Sequence, residues 1–399
     1  MTRRFAAALI VFVCGSTLAA EEAIRSRAEA ISTALSVIDA EYRQWSGGSW
    51  TEWNARVQPF RNELAQKIAE ARPNNPASTS AFFEARGAVL EARGDPPLFE
   101  IAPETYLRYL TEPVDVTRLA ETHAALRSVP IVSRWLAARG IDLIFVPVPK
   151  MTEVYPDRVC ATVPPGRLAA PHTRSIIHDL LLADVEVLDL LPLLLAARDA
   201  GAGSLYEAAD PHWSKEGQMV AVTEIVHRLR RYDFVRHAMA EPPRFRALYA
   251  EAPSPQAGFG ALNPAQAEHV RPFLTVLEEN PERLDGGPVL VPSSPILFIG
   301  DSYIGRLPPR VALRLNMPLS SMQAAGQTTE AIGDLVRDPQ LLEGRRVVIW
   351  IVNAASVGRA APDWKLPPLE RLTRPTSDPA PSAAPTVAPS AAPLALPRS

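Results

Sequence analysis

ILFIGDSYIGR, residues 296–306, carries five apolar or small residues, Ile296 to Gly300, into Asp301 and Ser302. A short apolar run that does not alternate with polar residues reads as a strand buried on both faces. A serine at the end of such a strand sits at the rim of a sheet, where its hydroxyl is available for reaction if a base reaches it. Four other segments read the same way: IDLIFVPVP (141–149), VEVLDL (185–190), the short MPLSSM (317–322) and RVVIWIV (346–352). Between them the spacing predicts helices over Asp115–Arg139, closed by Gly140, then Thr173–Leu182, Ser214–Arg231, a stretch running to Leu315, and Thr328–Val336. Apolar strands separated by helices imply a parallel sheet covered on both sides. The fold class is therefore α/β, a three-layer α/β/α sandwich with a five-stranded parallel sheet, preceded by a helical N-terminal segment.

The rest of the 399 residues flanks this domain. Arg3 and Arg4, the apolar run Phe5–Val13 and the small residues of 16–20 read as a cleaved signal peptide over 1–20. The run is shorter than the roughly 20 apolar residues that span a bilayer, so a membrane anchor is the lesser reading and a periplasmic location is expected. Over 21–115 the pattern is helical, with Ala28, Ile31, Leu35 and Ile38 at three- and four-residue spacing. Trp45, Trp50 and Trp53 in that segment serve either core packing or a carbohydrate-stacking surface. The main domain is expected over 116–358, with a Pro-rich insertion at about 242–294. The Pro/Ala/Ser tract of 359–399 cannot bury enough apolar surface to fold and is expected to be a disordered tail. A formal net charge of −3 gives no reason to expect a nucleic-acid partner. With the signal removed, Cys160 is the one remaining cysteine. No clustered Cys and His suggest a metal, and no dinucleotide or phosphate fingerprint suggests a cofactor.

The base is sought in YEAADPHWSKEGQMV, residues 206–220, where Asp210 and His212 flank Pro211 just ahead of a helix capped by Ser214. A serine nucleophile needs an imidazole to take its proton, and the imidazole needs a carboxylate to fix its tautomer. An aspartate two residues before the histidine can face Nδ1 and leave Nε2 for the serine. Of the seven histidines, only His212 has this setting. Gly-Asp-Ser alone also fits a plain capping role for Asp301 or Ser302 at a strand-to-helix turn. Further candidates are Gly326 and Gln327, or the backbone N–H of Ser302, as oxyanion donors. Lys150 and Arg306 are candidates for an anionic sugar.

DPHW, the glycine four residues after its tryptophan (Gly217), and the later GDS together resemble the SGNH-hydrolase-like alginate O-acetyltransferases of the AlgX/AlgJ type. LIFVPVPKMTEVYPD resembles that family's strand ahead of the site, and the resemblance covers about 95–355. It implies an SGNH-like fold with Ser302 as nucleophile, His212 as base and Asp210 as orienting acid. It also implies a polysaccharide substrate, no cofactor, and an acetyl donor supplied by a membrane acyltransferase. The order Asp, His, Ser reverses that of ordinary SGNH esterases. VVIWIVNAASV lacks the glutamate and arginine usual in the family there; it resembles the Asn-ended strand of ordinary SGNH hydrolases, which makes Asn353 another oxyanion candidate. A carbohydrate esterase using the same triad, or a non-catalytic polysaccharide-binding or assembly protein, are the alternatives.

Overall fold

In the computed structural model, which describes residues 22, 25–38, 40, 119–155, 171–206, 212–253, 275–323 and 329–354, the run ahead of Ser302 is a strand buried along its length. The sheet strands are β1 (Asp142–Val148), β2 (Glu186–Val187), β5 (Ile296–Gly300), β6 (Ser320–Gln323) and β7 (Val347–Asn353). They form one sheet in the order β2-β1-β7-β5-β6, and every pairing is parallel. β7 lies in the middle, paired with β1 from Asp142↔Val347 to Val148↔Asn353 and with β5 from Ile296↔Val347 to Gly300↔Ile351.

Successive strand residues face opposite sides of the sheet, and each side has its own core. Ile144, Val146, Ile296, Phe298, Ile349 and Ile351 pack into one apolar cluster. That layer contains α3 (Met151–Val154), α5 (Leu191–Asp199), α6 (Lys215–Leu229), α7 (Asp233–Ala240) and α8 (Leu307–Leu315). Leu143, Phe145, Leu297, Ile299, Val348 and Trp350 pack into the other. It is covered by the helix over 25–38 (α1), α2 (Leu119–Ala137), α4 (Pro171–Leu182) and α9 (Glu330–Arg337). Within it the rings of Phe145 and Trp350 meet edge to face, 5.4 Å between centroids. Ile31 and Ile38 of α1 are buried in the same cluster, so the amphipathic pattern at the start of the N-terminal segment docks on the sheet.

Read from β5 onward and then from β1, the sheet order is 2-1-3-4-5, the doubly wound arrangement in which sites form beyond the carboxyl ends of the strands where the winding reverses. The reversal falls between β5 and β7, where Gly300 ends β5 opposite Ile351, two residues before the end of β7 at Asn353. Because the chain starts at what would be the fourth strand, the loop bearing His212 precedes Ser302 in sequence, which accounts for the reversed motif order.

The Pro-rich insertion holds a two-stranded antiparallel ribbon, β3 (Phe245–Pro253) and β4 (Thr275–Arg283), with Phe245 opposite Arg283 and Pro253 opposite Thr275. Three helices among the described residues were not expected from the sequence: the single turn α3, α5 and α7. The predicted helix directly after Ser302 is displaced: a 3-10 turn, Ser302–Ile304, comes first and α8 begins only at Leu307. The signal segment, Trp45, Trp50, Trp53, Cys160 and the Pro/Ala/Ser tract lie outside the described residues.

Candidate active site

The Ser302 side of the site is built by close backbone packing. A Cβ on Gly300 would sit 1.8 Å from the carbonyl oxygen of Ile351, and its φ is +146°, so only glycine lets β5 leave the sheet against β7 here. Asp301 then caps the turn. Its Oδ1 accepts from Tyr303 N at 2.9 Å and its Oδ2 from Asn353 N at 3.1 Å. One carboxylate thus joins the turn that carries Ser302 to the end of the central strand. Asp301 is buried, and burial pushes its carboxyl above the ordinary range, opposed by the two backbone N–H groups and by His212.

His212 arrives on the segment before α6. Ser214 caps this helix: its Oγ accepts from Gly217 N at 3.2 Å and donates to the Ser204 carbonyl at 2.6 Å. Gly217 lies so close beneath the preceding loop that a Cβ would stand 2.2 Å from Leu205 O, which explains why the motif carries glycine there. Trp213 is buried and its Nε1–H donates to Tyr303 O at 3.0 Å. The His212 ring lies over Tyr303, with centroids 4.6 Å apart. The outcome is the contact the sequence calls for: His212 Nε2 and Ser302 Oγ are 2.8 Å apart, across 90 residues of chain. At that distance an unprotonated Nε2 accepts the hydroxyl proton, the arrangement needed to turn a hydroxyl into a nucleophile.

The other candidates divide. Asp210, Gly326 and Gln327 lie outside the described residues. Asn353 is buried at the carboxyl end of β7, tied to Asp301 through its backbone N–H. Arg306 faces the ribbon, donating to Asn280 Oδ1 at 3.1 Å and lying 3.4 Å from Glu278 Oε2. Lys150 caps α3 just past β1, and its backbone N–H donates to Glu153 Oε2 at 2.7 Å. Glu153 is buried, and burial pushes its carboxyl up to about 7 against the pull of that N–H and of Lys150 and Arg174. Beside it, beyond β2, Arg174 pairs with Asp189 at 2.7 Å.

Sequence reasoning missed Tyr303, Glu153 and the residues behind His212. Only Tyr303 left a signal, as an aromatic next to the serine and a natural seat for the DPHW aromatics.

A family model described as SGNH hydrolase-like domain, acetyltransferase AlgX, matches residues 105–354. That is more than half of the chain, and the chain belongs to this family. Among solved structures it is similar to the O-acetyltransferase domain of Pseudomonas putida AlgJ, at 17% identity and TM-score 0.49, over 64% of this chain and 90% of that one. It is also similar to Pseudomonas aeruginosa AlgX, at 14% identity and TM-score 0.40, over 62% of this chain and 60% of that one. Bacillus cereus PatB1 with a sulfonyl adduct follows at 10% identity and TM-score 0.38, over 62% and 91%. No curated protein matches the chain in sequence.

Proposed function

We propose that this member of the AlgX-type acetyltransferase family moves acetyl groups onto hydroxyls of a secreted polysaccharide through a Ser302–His212–Asp210 triad. The observation that carries the reading is the 2.8 Å approach of His212 Nε2 to Ser302 Oγ, at the point of the sheet where sites form. Ser302 Oγ attacks the acetyl carbonyl while its proton passes to Nε2. The oxyanion is held by backbone N–H groups, with Ser302 N, Gly326, Gln327 and Asn353 as the candidate donors. Collapse expels the donor's leaving group, which takes the proton from His212 and leaves an acetyl-serine. His212 then removes the proton from a sugar hydroxyl, that oxygen attacks the acetyl-serine, and Ser302 recovers its proton. Asp210 keeps the imidazole in the tautomer with Nδ1 protonated.

The reading extends to the whole chain. Residues 1–20 direct export and are removed, the domain works in the periplasm, and 359–399 is a spacer. A membrane acyltransferase delivers the acetyl group, and Lys150 and Arg306 are the candidate contacts to an acidic sugar. The test is incubation of the purified protein with an acetyl ester and an oligosaccharide acceptor, beside Ser302→Ala and His212→Ala. Acetylated oligosaccharide from the wild type, with each variant folded and at least about 10³-fold slower, is the expected result. Free acetate alone would favour the esterase. A wild type that neither turns over ester nor reacts with an organophosphonate would favour the binding protein.

A further inference from the structure

The segments that bring His212 and Ser302 together touch a third group between them, the amide of Gln218 in the first turn of α6. Gln218 Nε2 donates to the Trp213 carbonyl at 3.3 Å, one residue after His212. The same side chain faces the turn after Ser302: a Cβ on Gly305 would meet Gln218 Nε2 at 3.4 Å. Its other end is held from α8, where Arg310 Nη1 donates to Gln218 Oε1 at 2.5 Å. A guanidinium can only donate, so this bond fixes which way the amide points and turns Nε2 toward Trp213. Arg310 is fully buried, and its Nη2 donates to Glu278 Oε2 of the ribbon at 2.5 Å. A directed chain therefore runs from a ribbon carboxylate through a buried guanidinium and an amide to the backbone beside His212.

Stability gives no sufficient reason for this chain. A buried ion pair roughly breaks even against apolar packing of the same volume, and α8 already docks through Leu307, Val311 and Leu315. A directional network has the one property apolar packing lacks: it fixes a single orientation. The ribbon is tied to both sides of the site as well, since Lys215 Nζ donates to Leu277 O at 2.8 Å and Arg306 reaches Asn280.

We propose that Gln218, oriented by Arg310 and Glu278, is a positioning residue that holds His212 against Ser302, so that docking of the β3–β4 ribbon sets the reactivity of the serine. This rests on the Ser302–His212 reading above and adds to it the insertion and α8. Gln218→Glu keeps an acceptor for Arg310 and removes the donor to Trp213, while Gln218→Met removes both with little change in volume. Each variant is followed by far-UV circular dichroism, by the rate of Ser302 labelling with a fluorophosphonate, and by kcat and KM for a small acetyl ester. Both are expected to fold, to label about 10- to 100-fold more slowly, and to lose kcat with KM little changed, since small displacements of a base carry penalties of that size. Glu278→Gln should move the same readouts in the same direction by less. A role confined to stability would lower the melting temperature and leave the labelling rate of the folded protein untouched. Folded Gln218→Glu and Gln218→Met that label like the wild type overturn the inference. An unreactive wild type overturns the function instead, and the inference is then read from the His212 imidazole resonances of the same variants. Shifted resonances support it, and unshifted ones end it.

Discussion

Apart from the Arg174–Asp189 pair beyond β2, the two ends of the parallel sheet treat buried acids in opposite ways. At the amino end, Glu186 of β2 is matched by cations: Arg231 donates to both of its oxygens at 2.6 and 2.5 Å, and Arg228 stands 3.6 Å away. The Tyr232 hydroxyl donates to Asp142 at 2.6 Å and accepts from Arg231 at 2.8 Å, closing the cluster. At the carboxyl end, Asp301 and Glu153 are each held by backbone N–H groups, and burial dominates: the first is raised and the second reaches about 7. One end spends its charges on joining helices to strands. The other keeps acids whose proton is held more tightly than usual, Asp301 among them, next to the serine and in the field of the histidine. That division is what a doubly wound sheet predicts, with structure at one rim and chemistry at the other.

Neutralising each acid with its amide isostere tests the comparison, and Glu186 should respond most. In Glu186→Gln the arginines lose their counter-charge, and the amide offers one acceptor where there were two. Removing one partner of a buried pair costs about 3–5 kcal/mol. Urea denaturation should show a loss of that order, with the serine-labelling rate of the folded protein unchanged. A loss below about 1 kcal/mol would mean that the cluster is solvated and that the contrast fails at this end.

Glu153→Gln should act in the other direction. The folded carboxyl titrates near 7 and the ordinary value is 4.5. Between those pH values the folded state therefore holds more protons than the unfolded chain, and wild-type stability falls as pH rises through the window. At pH 4 both states are protonated and the group costs nothing; above about pH 7 the full penalty applies, up to about 3 kcal/mol for a shift of this size. Glutamine cannot ionise and keeps an oxygen for the Lys150 N–H. Its stability relative to wild type should rise from pH 4.5 to 7 and then level off. Parallel curves for the two proteins would show that Glu153 is not desolvated.

What the sequence made legible follows from the range of each interaction. Strands β1, β5 and β7 were readable because burial on both faces leaves each run apolar apart from Asp142 at the start of β1 and Asn353 at the end of β7, a purely local mark. DPHW and GDS were readable as a base and a hydroxyl, but their 2.8 Å contact depends on which strand lies between β1 and β5, and no local pattern encodes that. The ribbon escaped notice because Pro253, Pro281 and the charges of β4 argue against a strand. Its partner groups are distant in sequence, on α6, on α8 and at Arg306, with Glu278 32 residues from Arg310 and Leu277 62 from Lys215. α5 was lost because LPLLLAARD follows directly on the apolar β2 segment, and the change of period falls inside one apolar stretch.

The smallest effect is expected at Asp301, where two terms oppose each other. Asp301→Asn keeps one oxygen for one of the two backbone N–H groups and turns an NH₂ toward the other, and an unsatisfied buried donor costs about 1–3 kcal/mol. Against this, the raised carboxyl shows that the fold disfavours the charge, chiefly through burial, even with both N–H groups in place. Removing the charge returns part of what the lost acceptor takes away. The net change in stability at pH 7 should stay within about 1 kcal/mol, with Ser302 still labelled at a rate within about 10-fold of wild type, since the Trp213–Tyr303 bond and the Gln218 wedge remain. The two terms separate with pH. Protonation removes the charge from wild-type Asp301 in acid, and because its carboxyl is raised this begins above the ordinary aspartate range. Wild-type stability therefore declines as pH rises through that interval, and the amide is spared the decline, so the variant should fare worse against wild type at pH 4 than at pH 7. A loss as large as that of Glu186→Gln, constant across pH, would place Asp301 with the paired acids of the amino end and remove the distinction between the two rims.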